Sequence, residues 1–331
     1  MTYQTTMKMK TNTIIGDDLK LNRLFFYLRK KGIHVKHYYV NKPHVVFVVT
    51  TEGPKVLKRY QNPTVINRIF LFLHALSQSG YQQAINFEHY PNGGLYVKDE
   101  NDIWSMMPYV PSIKRVSYKI KQHRKDVFTL LNKYHHYAQP FCKAHSDFFP
   151  KYSLIEVWTK RLSHFKENQH AIIACIGQDH YKQLCEWAEV ALQLMNTYEH
   201  DVSANETTII HGDVAAHNFI QNAWGQYFMI DFDQAAQSSS LIEYIQLAQR
   251  FLMYENYSLQ HVKEEQLFEK QLTSPFFLSA LLFPSMFLLQ LYMNTDYLSY
   301  PAVRKLQIWT KKEVRKRRRL YKEIVSIIPN I

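Results

Sequence analysis

The chain has 331 residues, enough for two domains or two lobes at roughly 100–200 residues each. Hydrophobic residues make up 46% and aromatics 15%, which is ample material for a core, and only 9 Gly and 12 Pro exclude a collagen-like, linker-like or low-complexity chain. Three cysteines, Cys142, Cys175 and Cys185, exclude a disulfide framework and fit a reducing, cytoplasmic compartment, while 40 Lys+Arg against 28 Asp+Glu (net +12) favours anionic partners without setting the fold.

Residues 1–15 carry lysines but no apolar run of the kind a secretory leader needs. Leu19, Leu21, Leu24, Phe25 and Leu28 predict a helix over 18–33 that Gly32 stops. His37–Tyr39, Val45–Val49 and Lys55–Tyr60 then read as short strands of an antiparallel meander, separated by turns at Asn41-Lys42-Pro43 and Glu52-Gly53-Pro54. A helix is expected over Pro63–Ser79, closed by Gly80. Strands are expected at Ile85–His89 and Leu95–Val97, joined by an Asn92-Gly93-Gly94 turn, and at Ile103–Met107.

Beyond residue 112 the periodicity becomes helical. Val127–Gln139, Ile155–Glu167 and Tyr181–Glu199 read as helices, Thr208–Asp231 as strand–loop–strand, and helices resume from Leu241. Gln271–Thr295 contains no charged residue, and Phe276–Tyr292 is mostly apolar; a buried helix pair broken at Pro284 accounts for this more simply than a membrane span. The expected fold class is therefore α+β: a small N-terminal lobe of helix plus antiparallel sheet over 1–108, and a larger helical C-terminal lobe over 109–331.

The chemistry concentrates in Ile209–Ile220, which contains His211-Gly212-Asp213 and Asn218, and in Ile230-Asp231-Phe232-Asp233. Strand–loop–strand connectivity is expected to place Asp213, Asn218 and Asp231 at one loop edge. Asp231 and the side-chain oxygen of Asn218 are hard oxygen ligands suited to Mg²⁺, which typically takes one or two carboxylates plus substrate phosphates. Asp213 is then left to orient or deprotonate an attacking hydroxyl, the division of labour phosphoryl transfer needs. Asp233 reads either as a second metal ligand or as a cap of the following turn.

His-Gly-Asp, four residues, Asn, and then Ile-Asp-Phe-Asp resembles the aminoglycoside phosphotransferase and choline kinase-like superfamily, over about residues 20–325. The resemblance implies a two-lobed protein-kinase-like fold with ATP and Mg²⁺ held between the lobes. It implies Asp213 as catalytic base and Asn218, Asp231 and Asp233 on the metal. Lys58, in Val56-Leu57-Lys58-Arg59, would contact the α/β-phosphates. Ser105–Val110 looks like the hinge that meets adenine, with Met107 and Tyr109 as cofactor-binding residues. Leu130–His135 looks like the helix after the hinge, and Glu243 falls where the family has an Asp that stabilises the catalytic loop.

Within the superfamily, Trp158, Arg161 and Leu162 together with Leu281–Phe287 are similar to the kinase-like spore coat proteins of spore-forming bacteria. This implies a link to sporulation or the spore coat, other coat proteins as partners, and an unidentified hydroxylated acceptor, small molecule or protein.

The pattern is departed from twice. No Gly lies between Gly32 and Gly53, so the Gly-rich phosphate loop of protein kinases is missing. No acid lies between Lys58 and Glu88, so the helix over Pro63–Ser79 offers Asn67, Arg68 and His74 where a glutamate would pair with the lysine; Glu52 or Glu88 are the alternative partners. The rival reading is thus a catalytically weak or inactive pseudokinase acting as a structural coat protein. A nucleic-acid partner finds no recognised module. The basic run Lys311–Arg319 reads first as the solvated face of a terminal helix whose Ile308, Val314, Leu320 and Ile324 pack inward.

Overall fold

Apolar residues at helical spacing form α1 (Asp18–Lys30), whose Leu21, Leu24 and Leu28 are buried. The computed structural model describes residues 18–100, 102–112, 114–203, 207–293 and 300–328. It divides into two units, one of residues up to Lys114 plus Ile220–Asp233, the other of Arg115–Phe219 and Gln234 onward.

In the first unit, β1 (Val35–Lys42), β2 (Val45–Thr50) and β3 (Gly53–Tyr60) form the expected antiparallel meander. Helix α2 (Pro63–Gln78) follows, with Asn62 capping it by accepting from the Thr64 amide at 2.9 Å and Pro63 in the first turn. β4 (Tyr96–Asp99) and β5 (Asp102–Pro108) complete a five-stranded antiparallel sheet of order β1-β2-β3-β5-β4. Side chains alternate across it. Val46, Val48, Leu57, Trp104 and Met106 face α1 and form the core. Register places Lys58 opposite Val45 and Ser105, and Val56 opposite Phe47 and Met107, on the other face.

Ile85–His89 is not a strand, and the hairpin expected across Asn92–Gly94 is replaced by one between β4 and β5. The backbone bonds of this stretch scatter: the Ile85 amide donates to Met229 O at 2.9 Å and the Glu88 amide to Met106 O at 2.8 Å, while the Asn86 side chain bonds Phe70 O and the Phe87 amide. Phe87 is buried without any ladder.

The second unit begins after β6 (Lys114–Arg115) with helices α3 (Lys121–Ala144), α4 (Leu154–Glu167), α5 (Gln169–Ile176), α6 (Gln178–Thr197) and α7 (His200–Ser203). β7 (Thr207–Ile210) leads to β8 (Phe219–Gln221) and β9 (Tyr227–Met229), and then to β10 (Ala236–Ser239), which pairs antiparallel with β7. Helices α8 (Ser240–Leu252), α9 (Leu259–Glu264), α10 (Pro275–Leu282), α11 (Ser285–Met293) and α12 (Tyr300–Val325) finish the chain. The fold class is α+β. The apolar stretch forms the expected helix pair interrupted at Pro284, and no helix among the described residues is long and apolar enough to cross a membrane.

Helix α12 corrects one inward residue. Val314, Leu320 and Ile324 are buried, but Ile308 is 62% exposed, and the inner stripe is completed by Leu306, Thr310 and Arg317. The Arg317 Nη2 donates to Leu281 O and Phe283 O, both at 2.7 Å, closing carbonyls that the Pro284 break leaves open. Burial pushes its guanidinium down to about 10. Lys311, Lys312, Arg315, Arg318 and Arg319 lie on the exposed side. Arg317→Ala is therefore expected to cost about 2–4 kcal/mol in urea unfolding, and Arg315→Ala less than about 0.5 kcal/mol; equal costs would remove this account of the basic run.

Candidate active site

The second unit holds the loop that carries Asp213. β7 delivers buried Ile209 and Ile210 into His211-Gly212-Asp213, and the neighbouring helix α8 presents Glu243 beneath it, fully buried. The Glu243 carboxylate accepts from the amides of His211 (3.1 Å) and Gly212 (2.8 Å) and from His135 Nε2 (2.7 Å). Burial alone would raise its pKa; the His135 hydrogen bond and charge, His211 and the Gly212 amide outweigh that and hold it below the ordinary value. The Tyr244 hydroxyl meets Asn132 Oδ1 and lies 3.1 Å from His135 Nδ1, so the far side of the imidazole is held as well.

Gly212 is required twice over. Its φ is +84°, and a Cβ there would stand 2.2 Å from the Gln234 carbonyl oxygen. The far side of the loop is tethered by Tyr118, whose hydroxyl donates to Val214 O at 2.7 Å. Arg124 in turn donates to Tyr118 O at 2.6 Å and is buried in a forked contact with Glu265.

Asp213 and Asn218 are brought together. Asn218 Nδ2 donates to the Asp213 carbonyl (2.9 Å) and to Asp213 Oδ2 (3.0 Å), which leaves Asn218 Oδ1 as the acceptor end of that amide. Asp213 Oδ1 accepts from Arg250 Nη2 at 2.9 Å, and its carboxylate keeps about a third of its surface exposed (35%). His211 is buried and accepts the Asp213 amide through Nδ1 at 3.3 Å, a structural role; His217 in the same loop is exposed. Arg250 was not singled out in the sequence. It lies seven residues after Glu243, two turns along the same helix, and that spacing is the signal that could have found it.

The first unit holds a separate constellation. Lys58 is buried, with Nζ 2.5 Å from Asp231 Oδ1 and 2.7 Å from Asp233 Oδ2. Asp233 Oδ1 also accepts from the Tyr60 hydroxyl at 2.9 Å, whose pKa burial and the two carboxylates drive upward. Tyr60 stands two residues after Lys58, on the same face of β3, and was missed because nothing marks a tyrosine there as polar machinery. Asp231 adopts φ +68°, a left-handed backbone uncommon for a non-glycine residue and costing about 1–3 kcal/mol. Neither alternative partner for Lys58 is realised: Glu88 pairs with Lys55 at 2.7 Å, and Glu52 is exposed at a turn. The lysine takes its counter-ions from 231–233 instead of from α2.

On the same face as Lys58, Met107 stands opposite Val56, and the Tyr109 ring meets Phe47 edge-on at 5.8 Å. These apolar side chains form a surface on which a flat aromatic ring can lie. No group of three or more His, Cys, Asp or Glu among the described residues could hold a metal by itself. Asp231 and Asp233 nevertheless supply two hard carboxylates of the kind that Mg²⁺ takes when phosphates and water complete its shell, so the residues present in the first unit fit that ion.

Glu243→Gln is expected to destabilise the protein by about 3 kcal/mol near neutral pH, since it leaves His135 without its carboxylate. With its folded pKa below the ordinary 4.5, Glu243 adds stability that is present above that pH and lost as pH falls through the lower, folded value. Urea unfolding across pH 3–7 should show wild-type stability falling steeply over that window and a flatter curve for the variant; parallel curves would refute the role assigned to the carboxylate.

Comparison with known proteins adds the following. The chain is similar in structure to an aminoglycoside phosphotransferase from Alicyclobacillus acidocaldarius (13% identity, TM-score 0.68, covering 90% of this chain and 93% of that one). It is also similar to a microcompartment-associated aminopropanol kinase (11%, 0.59, 93% and 98%) and to a spectinomycin phosphotransferase in complex with ADP and spectinomycin (14%, 0.54, 88% and 98%). At these identities the likeness establishes a shared kinase-like fold. Among curated proteins, none matches the chain. Residues 41–250, well over half of the chain and including Lys58, Asp213, Asn218, Asp231, Asp233, Glu243 and Arg250, match the family model of the phosphotransferase enzyme family, and the protein belongs to that family.

Proposed function

We propose that the protein is an ATP- and Mg²⁺-dependent kinase-like phosphotransferase acting on a hydroxylated acceptor. The observation that carries this reading is the convergence of Asp231 and Asp233 on the buried Lys58 ammonium. A cation and two carboxylates at that spacing suit a site where phosphates and a metal ion exchange charge. Lys58 would bind the α/β-phosphates, and Met107 and Tyr109 would line the base. Asp231 and Asp233 would hold Mg²⁺, which neutralises charge on the phosphate oxygens when bound.

Asp213 orients the acceptor hydroxyl and takes its proton as that oxygen bonds to the γ-phosphorus; the bond from the γ-phosphorus to the β–γ bridging oxygen breaks, and ADP leaves. Arg250 and Asn218 hold the Asp213 carboxylate ready at 2.9 and 3.0 Å. The ADP held by the spectinomycin phosphotransferase of similar fold supports a nucleotide here.

The cytoplasm suits three buried free cysteines. A place in sporulation, with spore coat proteins as partners, rests on the resemblance of Trp158, Arg161 and Leu281–Phe287, which meet in the second unit: Trp158 stacks on Phe283 with ring centroids 4.4 Å apart, and Arg161 donates to Ser285. A second reading, a pseudokinase with a structural role, is favoured by one observation, the absence of any acid on α2.

Calorimetry separates the two. ATP with Mg²⁺ is expected to bind the wild type, and to stabilise it by about 2.7 kcal/mol at a hundredfold excess over the dissociation constant. Asp231→Ala should weaken binding at least about tenfold. Asp213→Asn should bind normally but lower phosphoryl transfer, read as ATP consumption, by about 10²–10⁴-fold. A folded wild type that binds no nucleotide would sink the enzymatic reading in favour of the structural one.

A further inference from the structure

Around Asp213 the second unit gathers positive charge that the transfer reaction itself does not use up. Arg250 projects from α8 and pairs with Asp213. Arg161, on α4, is partly buried and donates to the Ser285 hydroxyl, and it has no carboxylate partner among the described residues. Burial lowers the Arg161 pKa, and the neighbouring Arg250 charge lowers it further, against the opposing effect of Tyr152. The Tyr152 hydroxyl accepts from Gln246 Nε2 at 3.4 Å, and Gln246 lies one turn before Arg250 on α8. Gln249, next to Arg250, donates to Phe283 O at 3.0 Å, and the Ser285 amide donates to the same carbonyl at 2.8 Å, so Arg161 on Ser285 stands beside the end of α8 that carries Arg250. Arg250 alone pairs with Asp213, and Glu243, the next acid on α8, is fully buried and committed to His135 and the loop amides.

A guanidinium withdrawn from water with a hydroxyl as its sole partner is poorly compensated. Its planar fork of donors matches a carboxylate or a phosphate monoester. The site is also hostile to cations. Aminoglycosides and aminopropanol, named for the relatives of similar fold, carry amines that are charged at neutral pH, and such a group beside Arg161 and Arg250 would meet like charge.

Resting on the phosphotransferase reading above, we propose that the acceptor is a hydroxylated anion, a phosphate monoester or carboxylate, whose acidic group is bound by Arg161 with Arg250 while its hydroxyl faces Asp213. Arg161 is a specificity-determining residue, and Arg250 both positions Asp213 and shares the anion. The same chemistry would suit a phosphate of the nucleotide, so the test fills the nucleotide site first.

Binding is measured by calorimetry on the full chain saturated with ADP and Mg²⁺, using glycerol 3-phosphate as hydroxylated anion, ethanolamine as hydroxylated cation and inorganic phosphate as the bare anion, at constant ionic strength. Glycerol 3-phosphate and phosphate are expected to bind saturably and ethanolamine not at all. Arg161→Gln should weaken both anions at least about tenfold and leave ADP affinity unchanged. Arg161→Lys, which keeps the charge, should retain part of the affinity. Ser285→Ala removes only the structural hydrogen bond and should bind the anions at least as well as the wild type.

Ethanolamine binding in preference to the anions, unchanged anion binding in Arg161→Gln, or equal losses in Arg161→Gln and Ser285→Ala would each overturn the proposal, as would a loss confined to ADP. Failure of ADP to bind the wild type is a different result: it removes the phosphotransferase reading, and anion binding repeated without nucleotide then scores Arg161 by itself.

Discussion

A single buried carboxylate organises the second unit. Glu243 is cut off from water, and a charge in that position is tolerated only if donors surround it. It finds three, the His211 and Gly212 amides and His135 Nε2, and in satisfying itself it fixes the backbone from which Asp213 projects. The opposite side of the loop is fixed by a second buried chain of partners, from Glu265 through Arg124 and Tyr118 to the Val214 carbonyl. Neither chain touches the chemistry. Both remove freedom from Asp213, the residue proposed to meet the acceptor, which is how a loop comes to hold a side chain as firmly as a helix would.

The first unit solves its own charge problem differently. A buried lysine needs a counter-ion, and a glutamate on the following helix would be the economical source. Helix α2 has none, and Lys58 instead meets Asp231 and Asp233, with Tyr60 steadying the latter. The same two acids are the ones a metal ion would use. Binding of phosphates would thus exchange partners all round: the lysine from carboxylate to phosphate, the carboxylates from lysine to metal. Asp231 holds its carboxylate there from a left-handed backbone, φ +68°.

Much of this was legible in the sequence because short motifs carry their own geometry. His211-Gly212-Asp213 with Asn218 five residues on closes a loop small enough for the asparagine to reach the aspartate, and the meander around Lys58 follows from its turns. What escaped reading depends on contacts between distant residues. Ile85–His89 forms no ladder, because its amides reach Met106 and Met229 separately. Hydrophobicity alone places Ile308 inward, whereas the slots on that face belong to Thr310 and Arg317, the latter held by main-chain carbonyls that no pattern reveals. The return of residues 220–233 to the first unit has no local signature at all.

Net charge illustrates the same point. A surplus of twelve positive charges suggests an anionic partner but not where it sits. In the structure the cations divide by circumstance. Arg124 and Arg317 are consumed by carboxylates and carbonyls in the core, Lys58 by Asp231 and Asp233, and much of the dense run on α12 is solvated along one helix face. Screening leaves exposed lysines and arginines little long-range pull at physiological salt, whereas a partly buried pair is screened far less. Arg250 is partly buried and 2.9 Å from the Asp213 carboxylate, and Arg161 is held by Ser285 near the same end of α8. Position and desolvation, more than the total, make these two arginines the part of the surplus able to select a substrate.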